Sequence, residues 1–175
     1  MAESILQKIV RRGHYKFVDR VDSWQEAVRL STESLVRTGY VSENYYQQIV
    51  DCITKYGPYV VFEHYVAMPH SQEGAEGAHK TAVGFLRVKE DVDFGKDEDG
   101  EDKIARLFFT LAAANPDEHL DNINQLMNIF CNEELLDALM AAETPEDILQ
   151  AEKDFPPEDI LADREPSPRI RPCGE

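Results

Sequence analysis

Two nearly unbroken apolar runs, Thr81 to Val88 and Ile104 to Ala114, constrain this chain more than any other feature. A strand with one wet face alternates apolar and polar residues; a continuous apolar run belongs where both faces of a sheet are covered. These two segments are therefore expected as central strands of an internal sheet. Around them, apolar residues recur at helical spacing: Trp24, Ala27, Val28 and Leu35, then Tyr46, Ile49, Val50 and Ile53. Leu120, Ile123, Met127 and Phe130 form another such stripe, and Leu135, Leu136, Leu139 and Met140 one more. Helices and strands interleaved within 175 residues predict a single α/β domain, a mixed sheet flanked by helices.

Punctuation refines the outline. Ile5, Ile9 and Val10 suit a short lead-in helix ending near Arg12, and Tyr15 to Val21 looks extended. Ser23, three residues before Glu26, can cap a helix that Gly39 ends; Ser42 can cap a second that Gly57 and Pro58 close. Tyr59 to Phe62 and Tyr65 to Ala67 look like short strands with a turn near Glu63, and Ser71 to His79 like an exposed loop. Lys89 to Lys103, rich in Asp, Glu and Gly, is expected as a solvated connection, because it lacks the ligand spacing of a calcium loop. Asn115, Pro116 and Glu118 announce a helix, as do Thr144, Pro145 and Asp147. Beyond Lys153 lie five of the nine prolines, many charges and little periodic apolar content. The domain is expected over 1–150, with an irregular acidic tail over 151–175.

Eighteen basic against 34 acidic residues leave a formal charge of −16. Such a surface repels phosphate backbones and anionic lipid and attracts basic proteins, so the expected partner is a protein, not nucleic acid or a membrane surface. No apolar run reaches the ~20 residues of a membrane span, and the N-terminus has no secretory signal pattern, which predicts a cytoplasmic protein. Cys52, Cys131 and Cys173 have no C-x-x-C spacing. Reduced thiols are expected, Cys52 and Cys131 buried as small apolar residues.

No phosphate-binding glycine loop, dinucleotide fingerprint or serine-hydrolase elbow is present, so no cofactor is expected. Five histidines are the first place to look for proton, metal or phosphoryl chemistry. His70 follows a strand and Pro69, and His119 sits in the first turn of the helix after the second apolar run. Ligands of α/β sheets bind outside the carboxyl ends of strands, where two such histidines can converge. His14, His64 and His79 are expected to be surface or structural. Without a helical H-x-x-x-H pair or a thiolate set, no metal site is expected.

Gly57-Pro58-Tyr59 through Ala67-Met68-Pro69-His70, followed by the strand Thr81 to Val88, resembles the IIA components of the sugar phosphotransferase system, mannitol/fructose superfamily. Tyr45-Tyr46-Gln47, the Gly-Pro-Tyr turn and Met68 are most similar to the ascorbate-specific branch, and His119 matches a second family histidine. The resemblance spans about Val21 to Leu149.

It implies a phosphotransferase whose His70 accepts a phosphoryl group from the basic histidine phosphocarrier protein. That group passes to a IIB component and, indirectly, serves a membrane IIC component in uptake of ascorbate or a related sugar. His119 would hydrogen-bond the phosphoryl group, with free backbone N–H groups of its helix start assisting. The alternative is a regulatory module of the same fold, whose phosphorylation state controls binding to a protein target. Ser71 departs from the glycine that commonly follows the family's phosphorylated histidine, and is expected to tolerate the turn.

Overall fold

The computed structural model describes residues 3–71 and 77–158. Six helices and five strands follow in the order α1 (Ile5–Arg12), β1 (Tyr15–Val18), α2 (Trp24–Arg37), α3 (Tyr45–Tyr56), β2 (Val61–Phe62), β3 (Val66–Ala67), β4 (Ala82–Lys96), β5 (Asp102–Ala112), α4 (Pro116–Phe130), α5 (Glu133–Ala141) and α6 (Pro145–Asp154). The expected mixed sheet is present, with strand order β1-β4-β5-β3-β2. β1 runs parallel to β4 and β3 parallel to β5, while β4–β5 and β2–β3 are antiparallel.

The apolar runs are buried on both faces because two separate cores cover them. α2 and α3 pack Val28, Leu35, Ile49 and Ile53 against Leu86 and Phe108 on one side. α1, α4, α5 and α6 pack Leu6, Leu126, Leu136 and Ile148 against Phe85 and Phe109 on the other. Each fully buried phenylalanine contributes roughly 1.5–3 kcal/mol of transfer free energy. α2 comes close to the sheet only because Gly84 has no side chain: a Cβ there would lie 2.8 Å from the Ser31 carbonyl oxygen.

Most helix starts follow the capping residues. Ser23 accepts from the Glu26 amide, Asn115 from Glu118, and Thr144 and Asp147 bond reciprocally. α1 has the same reciprocal pair, Ser4 with Gln7.

Several expectations fail, each for a local reason. α3 starts at Tyr45, not after Ser42, whose hydroxyl donates to Asn44 instead of capping an amide. Lys89 to Lys103 is not a loop: β4 and β5 continue through it as a hairpin with register shifts, because Val92 and Phe94 alternate inward among charges. Phe94 packs on Trp24 at 5.5 Å and on Phe108 at 5.9 Å, so the hairpin curls over the α2 side. α4 buries Asn122, Leu126 and Ile129, leaving Leu120, its fifth residue, 59% exposed. Cys131 is exposed and disulfide-bonded, not a reduced core residue: it stands at the C-cap of α4, where the side chain leaves the packed face. Cys52 is buried and free. No helix among the described residues is long and apolar enough to cross a membrane. Parts of the Ser71–His79 loop and of the tail, and all of Cys173, lie outside the described residues.

Candidate functional site

β3 and β5 are adjacent and parallel, so the chain segments leaving their carboxyl ends emerge at one edge of the sheet. His70 follows β3 by three residues, and His119 lies in the first turn of α4 after β5. Both histidines thus stand on connections that leave the carboxyl ends of neighbouring strands.

The His70 segment is held from three directions. Pro69 is buried, and its carbonyl accepts from the Leu111 amide at 3.0 Å, tying the segment to β5. Leu111 in turn gives its carbonyl to the buried Tyr45 hydroxyl at 2.7 Å. That phenol is pushed up to about 12 by burial, so it stays a donor throughout the physiological range. The Tyr59 hydroxyl donates to the His70 carbonyl, and its ring meets the imidazole edge-on, with centroids 5.2 Å apart.

The His70 ring is oriented by its own backbone. Nδ1 lies 2.6 Å from the Met68 carbonyl oxygen. A carbonyl only accepts, so Nδ1 carries the proton and the neutral ring keeps its free lone pair on Nε2. The imidazole is half-buried, and in this tautomer its Nε2 is free to act as a nucleophile.

His119 is also half-buried, and its Nδ1 is buried with no partner among the described residues. Burial, and after it the charge of His70, hold His119 below the ordinary histidine range. The second influence means that the two rings sense one another. A proton on Nδ1 would have no acceptor, which favours the neutral ring with its hydrogen on Nε2.

The helix start offers less than expected. Pro116 has no N–H, the Glu118 amide is taken by the Asn115 side chain and the His119 amide by the Asn115 carbonyl. The Asp117 amide is the remaining first-turn donor. Thr81 braces this start by accepting from the Ala114 and Asn115 amides at 2.9 and 2.6 Å.

Ser71 needs no glycine-like backbone: among the described residues, the non-glycine ones at positive φ are His64 and Tyr65. Its hydroxyl lies 3.5 Å from the Cys52 sulfur. The other histidines stay apart from the site. His14 is buried between Thr38 and Tyr40, His64 pairs with Asp137 at 2.7 Å, and His79 is exposed. Among the described residues no group of three His, Cys, Asp or Glu could hold a metal ion. Tyr59 and the Met68 carbonyl are the parts that residue-by-residue reading missed as site elements. The Gly-Pro-Tyr motif was the available signal for the first.

The family model described as phosphoenolpyruvate-dependent sugar phosphotransferase system, EIIA 2, matches residues 8–153. The chain belongs to this family. The mannitol-specific cryptic phosphotransferase enzyme IIA component of Escherichia coli strain K12 is 38% identical over 119 residues, 68% of this chain and 78% of the relative. The ascorbate-specific EIIA component of the same strain is 34% identical over 129 residues, 73% of this chain and 81% of the relative. The fold matches enzyme IIAMTL in its Escherichia coli complex with phosphorylated enzyme IIBMTL, with a TM-score of 0.64 and 29% identity, covering 80% of this chain and 99% of that one. As a IIA component of the mannitol/ascorbate type, the chain is a phosphotransferase protein that carries phosphoryl groups between partners.

Proposed function

We propose that His70 is the phosphoryl acceptor, that it receives the group from the histidine phosphocarrier protein, and that it delivers it to a IIB component serving uptake of ascorbate or a related sugar through a membrane IIC component. The observation that supports this most is the Nδ1–H···Met68 contact, which leaves the Nε2 lone pair available for attack.

In the reaction, the Nε2 lone pair attacks phosphorus as the P–N bond to the donor imidazole breaks, and the donor nitrogen leaves with its electron pair. No electrons are gained or lost overall. His70 becomes a phosphoimidazolium whose positive charge is shared by Nδ1–H, and the Met68 carbonyl stabilises that charge. Such transfers rest on positioning and charge stabilisation. His119 donates from Nε2 to a phosphoryl oxygen, and the dianion raises the affinity of that ring for a second proton. The ascorbate assignment is supported by the sequence motifs and by one of the two relatives above; the IIB acceptor is supported by the partner in the related complex. The acidic surface suits a basic donor. Carriage by a cytoplasmic domain completes the proposal; the boundary expected after residue 150 moves to the end of α6 at Asp154, because Ala151 packs in the core, and the tail begins beyond it.

The test is incubation with enzyme I, phosphocarrier and labelled phosphoenolpyruvate. The wild-type chain should take up acid-labile, base-stable label and pass it to IIB. Label on His70→Gln at the wild-type rate would remove His70 from the account.

A further inference from the structure

A small cavity of about 10 Å³ lies between α1, the start of β4 and the first turns of α4. One water molecule requires roughly that much, ~10–15 Å³. His14, Thr81 and Asn122 line the cavity, and each brings a buried polar group with a bond still to make.

His14 is held as one tautomer. The Thr38 hydroxyl donates to the Ser34 carbonyl at 2.9 Å, so toward His14 its oxygen accepts, and the His14 Nε2, also at 2.9 Å, carries the ring proton. Nδ1 therefore keeps a lone pair, and it is buried with no partner among the described residues. An acceptor left in this way is costly. Thr81 has the opposite need: its oxygen accepts from the Ala114 and Asn115 amides, so its own O–H is left to donate. Among the described residues no acceptor meets that proton, and no hydrogen bond engages the Asn122 side-chain amide.

Lys8, Arg12 and Glu118 complete the lining. The two cations outnumber the one acid and oppose a metal ion. The volume excludes a polyatomic anion, and a halide has no proton to offer Nδ1. A small neutral molecule that both donates and accepts meets every need.

We propose that this cavity binds one ordered water, which donates to His14 Nδ1 and to the Asn122 side-chain carbonyl and accepts from the Thr81 hydroxyl. Three bonds are what a buried water ordinarily makes. The bridge joins the α1–β1 turn and the start of β4 to α4. Asn122 stands three residues after His119, the next position on the same helix face, so the water steadies the turn that carries His119. His14, Thr81 and Asn122 are thereby positioning residues. The water site stands on geometry alone; its effect on transfer rests on the proposed role of His119.

Oxygen-17 relaxation dispersion of the full chain counts its long-lived internal waters, and water-to-protein NOEs locate them. The wild type should hold one more than Asn122→Leu, a near-isosteric change, and should show an NOE from that water to the Thr81 hydroxyl or the His14 ring. A wild-type spectrum without that NOE, or an equal count in folded Asn122→Leu, would overturn the site. In single-turnover transfer Asn122→Leu should be roughly fivefold slower than wild type, and His119→Ala/Asn122→Leu no slower than His119→Ala alone. Additive losses would overturn the positioning role. A wild-type rate in His119→Ala would instead overturn the role of His119 in transfer, and the NMR readout of the water would be unaffected.

Discussion

The Nδ1 of His70 and the carbonyl oxygen of Met68 stand 2.6 Å apart, and this contact decides which nitrogen of the neutral ring keeps its lone pair. It ties the chemistry to local backbone geometry, because donor and acceptor are two residues apart. Pro69 between them, with its carbonyl bonded to the Leu111 amide, keeps that geometry in register with β5.

Replacing His119 by Ala removes one donor to the charge on the phosphoryl group. A hydrogen bond to a charged group is worth ~1.5–3 kcal/mol, so transfer through His70 should slow roughly 10- to 100-fold. Single-turnover transfer from phosphorylated carrier measures it. An unchanged rate would take His119 out of the mechanism.

Tyr59→Phe keeps the edge-on ring contact with His70 and deletes only the hydroxyl that reaches the His70 carbonyl. The expected cost is about 1 kcal/mol in urea unfolding, with a several-fold loss of transfer because the imidazole is held less firmly. Loss of stability with full transfer would make Tyr59 a fold residue only.

His14 gives the protein an acid-sensitive core. Burial, aided by Arg12 and Arg37, lowers its pKa to about 4, whereas in the unfolded chain it titrates near 6.5. Below 6.5 the unfolded state binds the proton that the folded state refuses, so stability falls as pH drops from 6.5 towards 4. The full loss is about 3 kcal/mol at ~1.4 kcal/mol per unit. Urea unfolding of wild type and His14→Gln across this range should differ by that slope, carboxylate contributions being common to both. Parallel curves would contradict it.

Much of this molecule could be read from its sequence, because the informative signals are local. Continuous apolar runs marked β4 and β5, and Ser23, Asn115 and Thr144 cap their helices as spacing implied. What escaped depends on contacts distant in sequence. Phe94 belongs to a strand because Trp24 and Phe108 cover it, which acidic neighbours conceal. Leu120 fits the helical stripe, yet packing against the sheet selects the face carrying Leu126 and Ile129. At the candidate site, the places of His70 and His119 after β3 and β5 were legible. The tautomer of His70 was not, because it depends on the direction of one carbonyl.

Gly84→Ala tests how closely α2 lies on the sheet. Its Cβ would meet the Ser31 carbonyl at 2.8 Å and the Leu35 side chain at 3.2 Å. Overpacking of this kind costs ~1–3 kcal/mol, read as a lower urea midpoint with unchanged slope. A variant as stable as wild type would show that the helix shifts freely.

Nitrogen-15 NMR of the histidine rings, before and after phosphorylation by the carrier, tests the central claim most directly. The neutral His70 ring should carry its proton on Nδ1, and the phosphorylated ring should show phosphorus bonded to Nε2 with Nδ1 still protonated. Phosphorus on Nδ1, or on another histidine, would contradict the account.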